Sequence, residues 1–362
     1  LSAGSIDGTW KQGTASGAFA ASESACNALS PQGTQRDGGV VDDSGVPPAT
    51  DAGPPGTPED LYTTPGAVPV SHLALANNRV FYTLDHSYFS GTVTIRSVGT
   101  DGSAPVDVVP TGSGAVVGGL AAANNRVYWI AGMDPPGGDA NLFSVAMSGG
   151  ATSDHGTIGN ASFSDYVGGV SRMATDASSV YVSWDGASNR GVRSYSLAGA
   201  PGVSLTDLVG PKAIALDGTD LWLGDFEGLK RGPSTLGSAP SIVVPRADYG
   251  NLAFSVSIAF DATNVYFATN TSNASAIWRV AKSGGTLEPV VASTPGWFRS
   301  LVLLGQDLYF AHRTTPGGQN GNTGASLVRV PKTATNAQPT TVGPANLSSM
   351  VTDGSTLPSA FN

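Results

Sequence analysis

The chain has 362 residues, a formal net charge of −9, a sequence pI near 4.7, charged residues at only 12% and a single cysteine. That charge repels a polyphosphate backbone, the lone Cys26 excludes a disulfide within the chain, and no apolar run reaches the roughly 18 residues of a membrane-spanning helix. Gly (48) and Pro (24) are abundant, and no window sets apolar residues at helical spacing opposite charged ones, so the expectation is an all-β fold of short strands and tight turns.

Residues 1–59 carry almost no β-branched alternation and read as an extended Gly/Ser/Asp/Pro-rich arm and linker ahead of a body at 60–362. The stretch 37–59 is too poor in apolar side chains to offset its own ordering entropy and reads as linker. Earlier in the arm, Ile6 and Trp10 bound a segment with the pattern of a short strand, and 17–25 is small and apolar enough to lie against another surface. The chain opens on Leu1, as a mature form cut from a secreted precursor does, and the expected location is extracellular or at the cell surface. Ser24 and Ala25 precede Cys26 as at a lipid-attachment site, but Glu23 occupies the position that such a signal gives to an aliphatic residue.

From Leu61 onward one pattern recurs: a short apolar strand, a tight turn, then an aliphatic residue followed by aromatics. The first two copies are Leu73-Ala-Leu-Ala-Asn-Asn-Arg-Val-Phe-Tyr82 and Leu120-Ala-Ala-Ala-Asn-Asn-Arg-Val-Tyr-Trp129. Four more begin at Met173, Ile214, Ile258 and Leu301. The aliphatic anchors Val80, Val127, Val180, Leu221, Val265 and Leu308 are 47, 53, 41, 44 and 43 residues apart, which is the period of a propeller blade. A third alternating stretch follows each anchor, as in Leu-Val-Arg-Val at 327–330, and several continue through Gly-Gly or Asp-Gly into a fourth. Four strands per period make one blade. Asn77-Asn78, Asn124-Asn125, Asp217-Gly218 and Asp353-Gly354 have the chemistry of two-residue hairpin turns, which require positive φ. Asp176, Asp217, Asp261 and Asp353 recur after the first strand and read as turn caps rather than calcium ligands.

The tract 61–357 resembles the YWTD and NHL propellers, and among them the bacterial extracellular form whose blades read Val-Tyr-Trp, then Arg-Val, then Gly-Gly. Tyr128-Trp129-Ile130-Ala131 is the nearest approach to the Tyr-Trp-Thr-Asp tetrad, which is absent. The resemblance implies architecture; the class includes receptors, scaffolds, lyases and lactonases, so it does not imply one activity.

After the sixth repeat, 350–357 (Met-Val-Thr-Asp-Gly-Ser-Thr-Leu) matches the opening of a blade. Seven blades are therefore expected, six full repeats and a closing blade assembled from both ends, with six blades and 345–362 packed outside the ring as the alternative. The residues expected to carry closure or assembly are Ile6, Trp10, Leu61, Tyr62, Met350 and Leu357, and any strand missing from the closing blade is expected from residues 1–30, in the same chain or a neighbour.

Propeller chemistry sits at one mouth of the central tunnel. The candidates for a ligand site there are His72, His86, Asp225, Glu227 and His312, with Asp85 beside them. His86, His155 and His312 fall in or near loops by pattern, and no pair of histidines has metal-ligand spacing, so no metal, cofactor or catalytic set is assigned. The leading expectation is a non-catalytic interaction or assembly propeller, forming filaments if its arm adds a strand to another molecule. The rivals are a lyase or lactonase, which needs those histidines and carboxylates to converge, and a carbohydrate binder stacking sugars on Trp129, Trp184, Trp222 or Trp278.

Overall fold

The computed structural model describes residues 18–20 and then 70–361, apart from 86–91, 101–102, 114–115, 133–138, 161–171, 186–189, 251–253, 272, 315–324, 346, 351, 353–356 and 358. Ile6, Trp10, Leu61, Tyr62, His86 and the Asp353-Gly354 turn lie outside the described residues.

Six four-stranded antiparallel sheets follow one another along the chain, each with strands in sequence order. The first blade runs Val70–Ala76, Arg79–Asp85, Thr92–Gly99 and Val106–Ser113. Its successors open at Val116–Ala123, Met173–Thr175, Ala213–Asp217, Phe254–Phe260 and Trp297–Leu304. From the first blade to the sixth, the first strand of each packs on the first strand of the next. Among the described residues there is no α-helix; one 3₁₀ turn, Arg246–Asp248, follows the fourth blade.

The repeat pattern forms blades because second-strand residues alternate between two neighbours. Val127 and Trp129 pack back into a cluster with Ala74, Phe81 and Ile95 of the first blade, whereas Tyr128 and Ile130 pack forward on Met173, Val180 and Trp184 of the third. Leu221 and Leu223 face the third blade and Trp222 the fifth. Val265 and Phe267 face the fourth and Tyr266 the sixth. Each strand of this kind is buried on both sides, which is why the motif is a continuous apolar run rather than a half-polar alternation.

The turns are as their chemistry dictates. Asn77, Asn78, Asn124 and Asn125 adopt φ of 51°, 56°, 46° and 59°, the left-handed geometry of two-residue hairpins. Asp176 Oδ1 accepts the amides of Ser178 and Ser179 (both 2.7 Å) and Oδ2 accepts the Tyr181 hydroxyl at 2.9 Å. Asp261 repeats this with Thr263, Asn264 and Tyr266. Burial pushes both carboxyls up, but these donors outweigh it and hold them below the usual carboxylate range. The same rim latches neighbouring blades: Lys282 Nζ lies 2.6 Å from Asp217 and Lys332 Nζ 3.2 Å from Asp261.

Six full blades form, the alternative count, and not seven. Between the sixth blade and the first lies a three-stranded sheet instead of a four-stranded one, ordered Leu347–Met350, Ser359–Phe361, Ala18–Ala20. The C-terminal tract supplies two of these strands, paired Leu347↔Phe361 and Met350↔Ser359, with Leu357 between them in sequence. Ala18 to Ala20 supply the third by pairing with Phe361, Ala360 and Ser359. Leu347, Met350 and Leu357 are buried against Tyr309, Ala311 and Leu327 of the sixth blade.

Trp222 is fully buried between two blades. Replacing it with Ala is expected to cost about 3–5 kcal/mol through the cavity left behind, whereas Val203→Ala on an exposed outer strand is expected to cost under about 0.5 kcal/mol. Thermal unfolding of the two variants checks this; equal shifts contradict the seam.

Candidate functional site

Antiparallel pairing places the starts of first strands and the ends of second strands on one face of the ring, opposite the rim of Asp caps. The four ligand-site candidates with described side chains are distributed around this face. His72 lies within the first strand of the first blade, its amide donating to Thr83 Oγ1 at 3.1 Å. His312 lies near the end of the sixth blade's second strand, in a strand rather than a loop; its ring meets Phe298 edge-on at 5.0 Å, and Nε2 is 3.1 Å from the Pro295 carbonyl. Asp225 and Glu227 lie in the turn after the fourth blade's second strand. Only the last two are brought together.

Their meeting point is Lys230, whose Nζ is 2.7 Å from Asp225 Oδ2 and ion-paired with Glu227. Asp225 is fully buried, and its Oδ1 accepts the amides of Glu227 (2.8 Å) and Gly228 (3.1 Å). Burial pushes the lysine down, but its hydrogen bonds and charge pairing with the two carboxylates outweigh that and raise it above its ordinary value. The hydroxyl of Tyr249 is pushed up by burial and then by the Asp225 charge.

A second charged group joins the third and fourth blades. Asp185 accepts Lys212 Nζ at 2.8 Å on one oxygen and Arg190 Nε at 2.9 Å on the other. Lys212 also sits 5.5 Å from the Phe226 ring centre, and Arg246 lies at 5.5 Å from the same ring while donating to the Phe226 carbonyl at 3.3 Å. Gly210, at φ 67°, is required beneath this ring, because a Cβ there would lie 2.5 Å from Phe226. The sequence pattern did not single out Lys212, Lys230 or Asp185. The available signal was a lysine within an otherwise apolar strand, as in Gly228-Leu-Lys-Arg.

Chemically, this face holds buried carboxylates already neutralised by buried lysines. His72 retains contact with solvent yet is surrounded by protein, and burial pushes its imidazole down to about 4. Among the described residues no group of three or more His, Cys, Asp or Glu is placed to hold a metal ion. His155 also departs from expectation: it lies in the strand Ser153–Asn160, its Nε2 2.7 Å from Ser144 Oγ. Burial lowers its pKa, with Arg126 adding to the effect and Asp154 opposing it. Trp129, Trp184 and Trp222 are buried in the blade seams, so those rings do not offer the stacking surface that the carbohydrate reading required. No helix among the described residues is long and apolar enough to cross a membrane.

No protein-family model matches the sequence, and no curated protein matches it. Solved structures do. BamB from Moraxella catarrhalis aligns at 10% identity and a TM-score of 0.50, over 83% of this chain and 88% of its own. A structure from a study of two prolyl endopeptidases aligns at 13% and 0.53, over 95% of this chain but 49% of its own length, so the chain spans about half of that protein. The β-propeller domain of the Trilobed protease from Pyrococcus furiosus, described as having an open velcro topology, aligns at 5% and 0.51, over 78% of this chain and 87% of that one. At such identities the likeness shows a shared β-propeller fold.

Two outcomes test this electrostatic arrangement. Lys230→Met leaves Asp225 buried without its cation and is expected to cost about 3–5 kcal/mol, while the pair Asp225→Asn with Lys230→Met is expected to be less destabilised than the single change; a denaturant series on the three proteins decides it. For His72, the folded value near 4 lies below the unfolded 6.5, so its contribution is complete above pH 6.5 and is lost as pH falls toward 4. His72→Gln is expected to remove about 2 kcal/mol of acid destabilisation between pH 7.5 and 4.5, read as a smaller drop in melting temperature than in the parent.

Proposed function

We propose that this chain is a non-catalytic β-propeller, secreted or displayed at the cell surface, that works through protein interaction and assembly. The observation that carries the reading is that, among the described residues, two carboxylates of this face are neutralised within the ring: Asp225 by Lys230, and Asp185 by Lys212 and Arg190. An acid or base needs a proton affinity matched to its working pH and a partner in reach. Here His72 is held well below neutrality, and His312 stands on a different blade from either carboxylate cluster. The lyase or lactonase reading loses its support from those residues.

The assembly part rests on the closing sheet, where the arm strand Ala18–Ala20 is held at a sheet edge far in sequence from the first blade. In this reading residues 1–59 are the interaction arm, 60–362 the propeller, and a filament is the polymer that the arm builds by strand addition. Kinship with YWTD and NHL propellers belongs to the same proposal, supported by the Tyr128-Trp129 pair and the blade period.

Light scattering on the full chain and on a chain lacking residues 1–35 tests the assembly reading. At about 1 mM the full chain is expected to form species larger than a monomer, and the deletion to abolish them. An unchanged size contradicts it.

A further inference from the structure

The arm strand is the outermost of the three closing strands, and among the described residues Ser359–Phe361 is its one ladder partner. Three Cα pairs hold it, Ala18↔Phe361, Phe19↔Ala360 and Ala20↔Ser359. The first-to-second strand pairing of the fourth blade, by contrast, runs over five. Its departure therefore breaks one short ladder and leaves every strand of the six blades in place.

Residues 21–69 separate this strand from Val70, where the first blade begins. A chain of that length spans about 40 Å as a coil and about 160 Å at full extension. The same three residues can thus reach the closing sheet of an adjacent molecule with all six donor blades intact. The contacts made are identical in the two cases, so enthalpy does not choose between them; concentration does. The donor surface is the arm and the acceptor surface is the edge of Ser359–Phe361. Because these are different patches, the contact is head-to-tail and does not have to close on itself.

Resting on the assembly reading above, we infer that the free edge of Ser359–Phe361 in one copy is completed by Ala18–Ala20 of a second copy, in the same antiparallel register seen within one chain. A tether of this length gives the arm's own sheet an effective concentration on the order of a millimolar. Dilute protein is then self-closed, and crowding copies together, as on a secreting surface, drives exchange.

The register supplies the experiment. In a Cys26→Ser background, one protein carries only Phe19→Cys and a second only Ala360→Cys, so a disulfide between them forms only across molecules; directly paired positions in an antiparallel ladder lie within disulfide reach. Mixed and mildly oxidised, the two are expected to give a covalent heterodimer on a non-reducing gel. Its fraction should rise several-fold between about 10 μM and about 1 mM. The double variant, with both cysteines in one chain, is the control for pairing within a molecule. If it cross-links internally while the mixture stays uncrosslinked at every concentration, exchange is overturned and the wider interaction reading stands. If neither cross-links, the arm does not occupy this sheet in solution and both the exchange and the arm's part in assembly fall. The neighbouring pair Ala18→Cys and Phe361→Cys repeats the test should either first variant fail to fold.

Discussion

The constraint on which this structure depends is that a propeller blade has two apolar faces and each must be covered by another blade. Second-strand residues alternate backward and forward, Val127 and Trp129 to one side, Tyr128 and Ile130 to the other. A linear array built this way always leaves two uncovered faces, one at each end. By the same alternation, Val80 and Tyr82 of the first blade belong to such a face, and Tyr309 and Ala311 of the sixth to the other. The three-stranded sheet resolves both, and it does so by joining segments from opposite ends of the sequence. Closure is therefore a long-range event, entropically the most demanding in the molecule.

The sparse charge follows from the same plan. Much of it is spent across or beside seams: Lys282 with Asp217 and Lys332 with Asp261 on one rim, Lys212 with Asp185 between the third and fourth blades on the other. Of these the Lys212–Asp185 pair is buried, and such a pair is costly to break and modest as a net stabiliser, so it acts mainly by fixing how one blade sits on the next. Side chains occupied in this way are poorly suited to proton transfer.

The blades were legible because their signal is repeated and local. The six anchors from Val80 to Leu308 all fall in second strands and are essentially fully buried, the paired asparagines take the positive φ that their turn demands, and Asp176 and Asp261 cap turns as short acceptors do. The closing sheet was legible only as a need. Three-residue strands carry too little alternation to fix a register, and Leu357, expected to carry closure, lies ahead of the strand that begins at Ser359. His155, flanked by Asp154 and Gly156, has the composition of a turn, yet it lies in a fourth strand whose ladder is interrupted by register shifts. Lys212 and Asp185 meet from separate blades, and no spacing rule in the sequence announces such a pair.

Ala18–Ala20 completes the outer edge of the closing sheet by pairing with Ser359–Phe361. Amide hydrogen exchange at Ser359, Ala360 and Phe361, compared between the full chain and one lacking residues 1–35, tests it most directly. Protection at these amides is expected to fall at least tenfold without the arm while the second strand of the fourth blade, Asp220–Gly224, keeps its protection. Equal protection at Ser359–Phe361 in both proteins would contradict it.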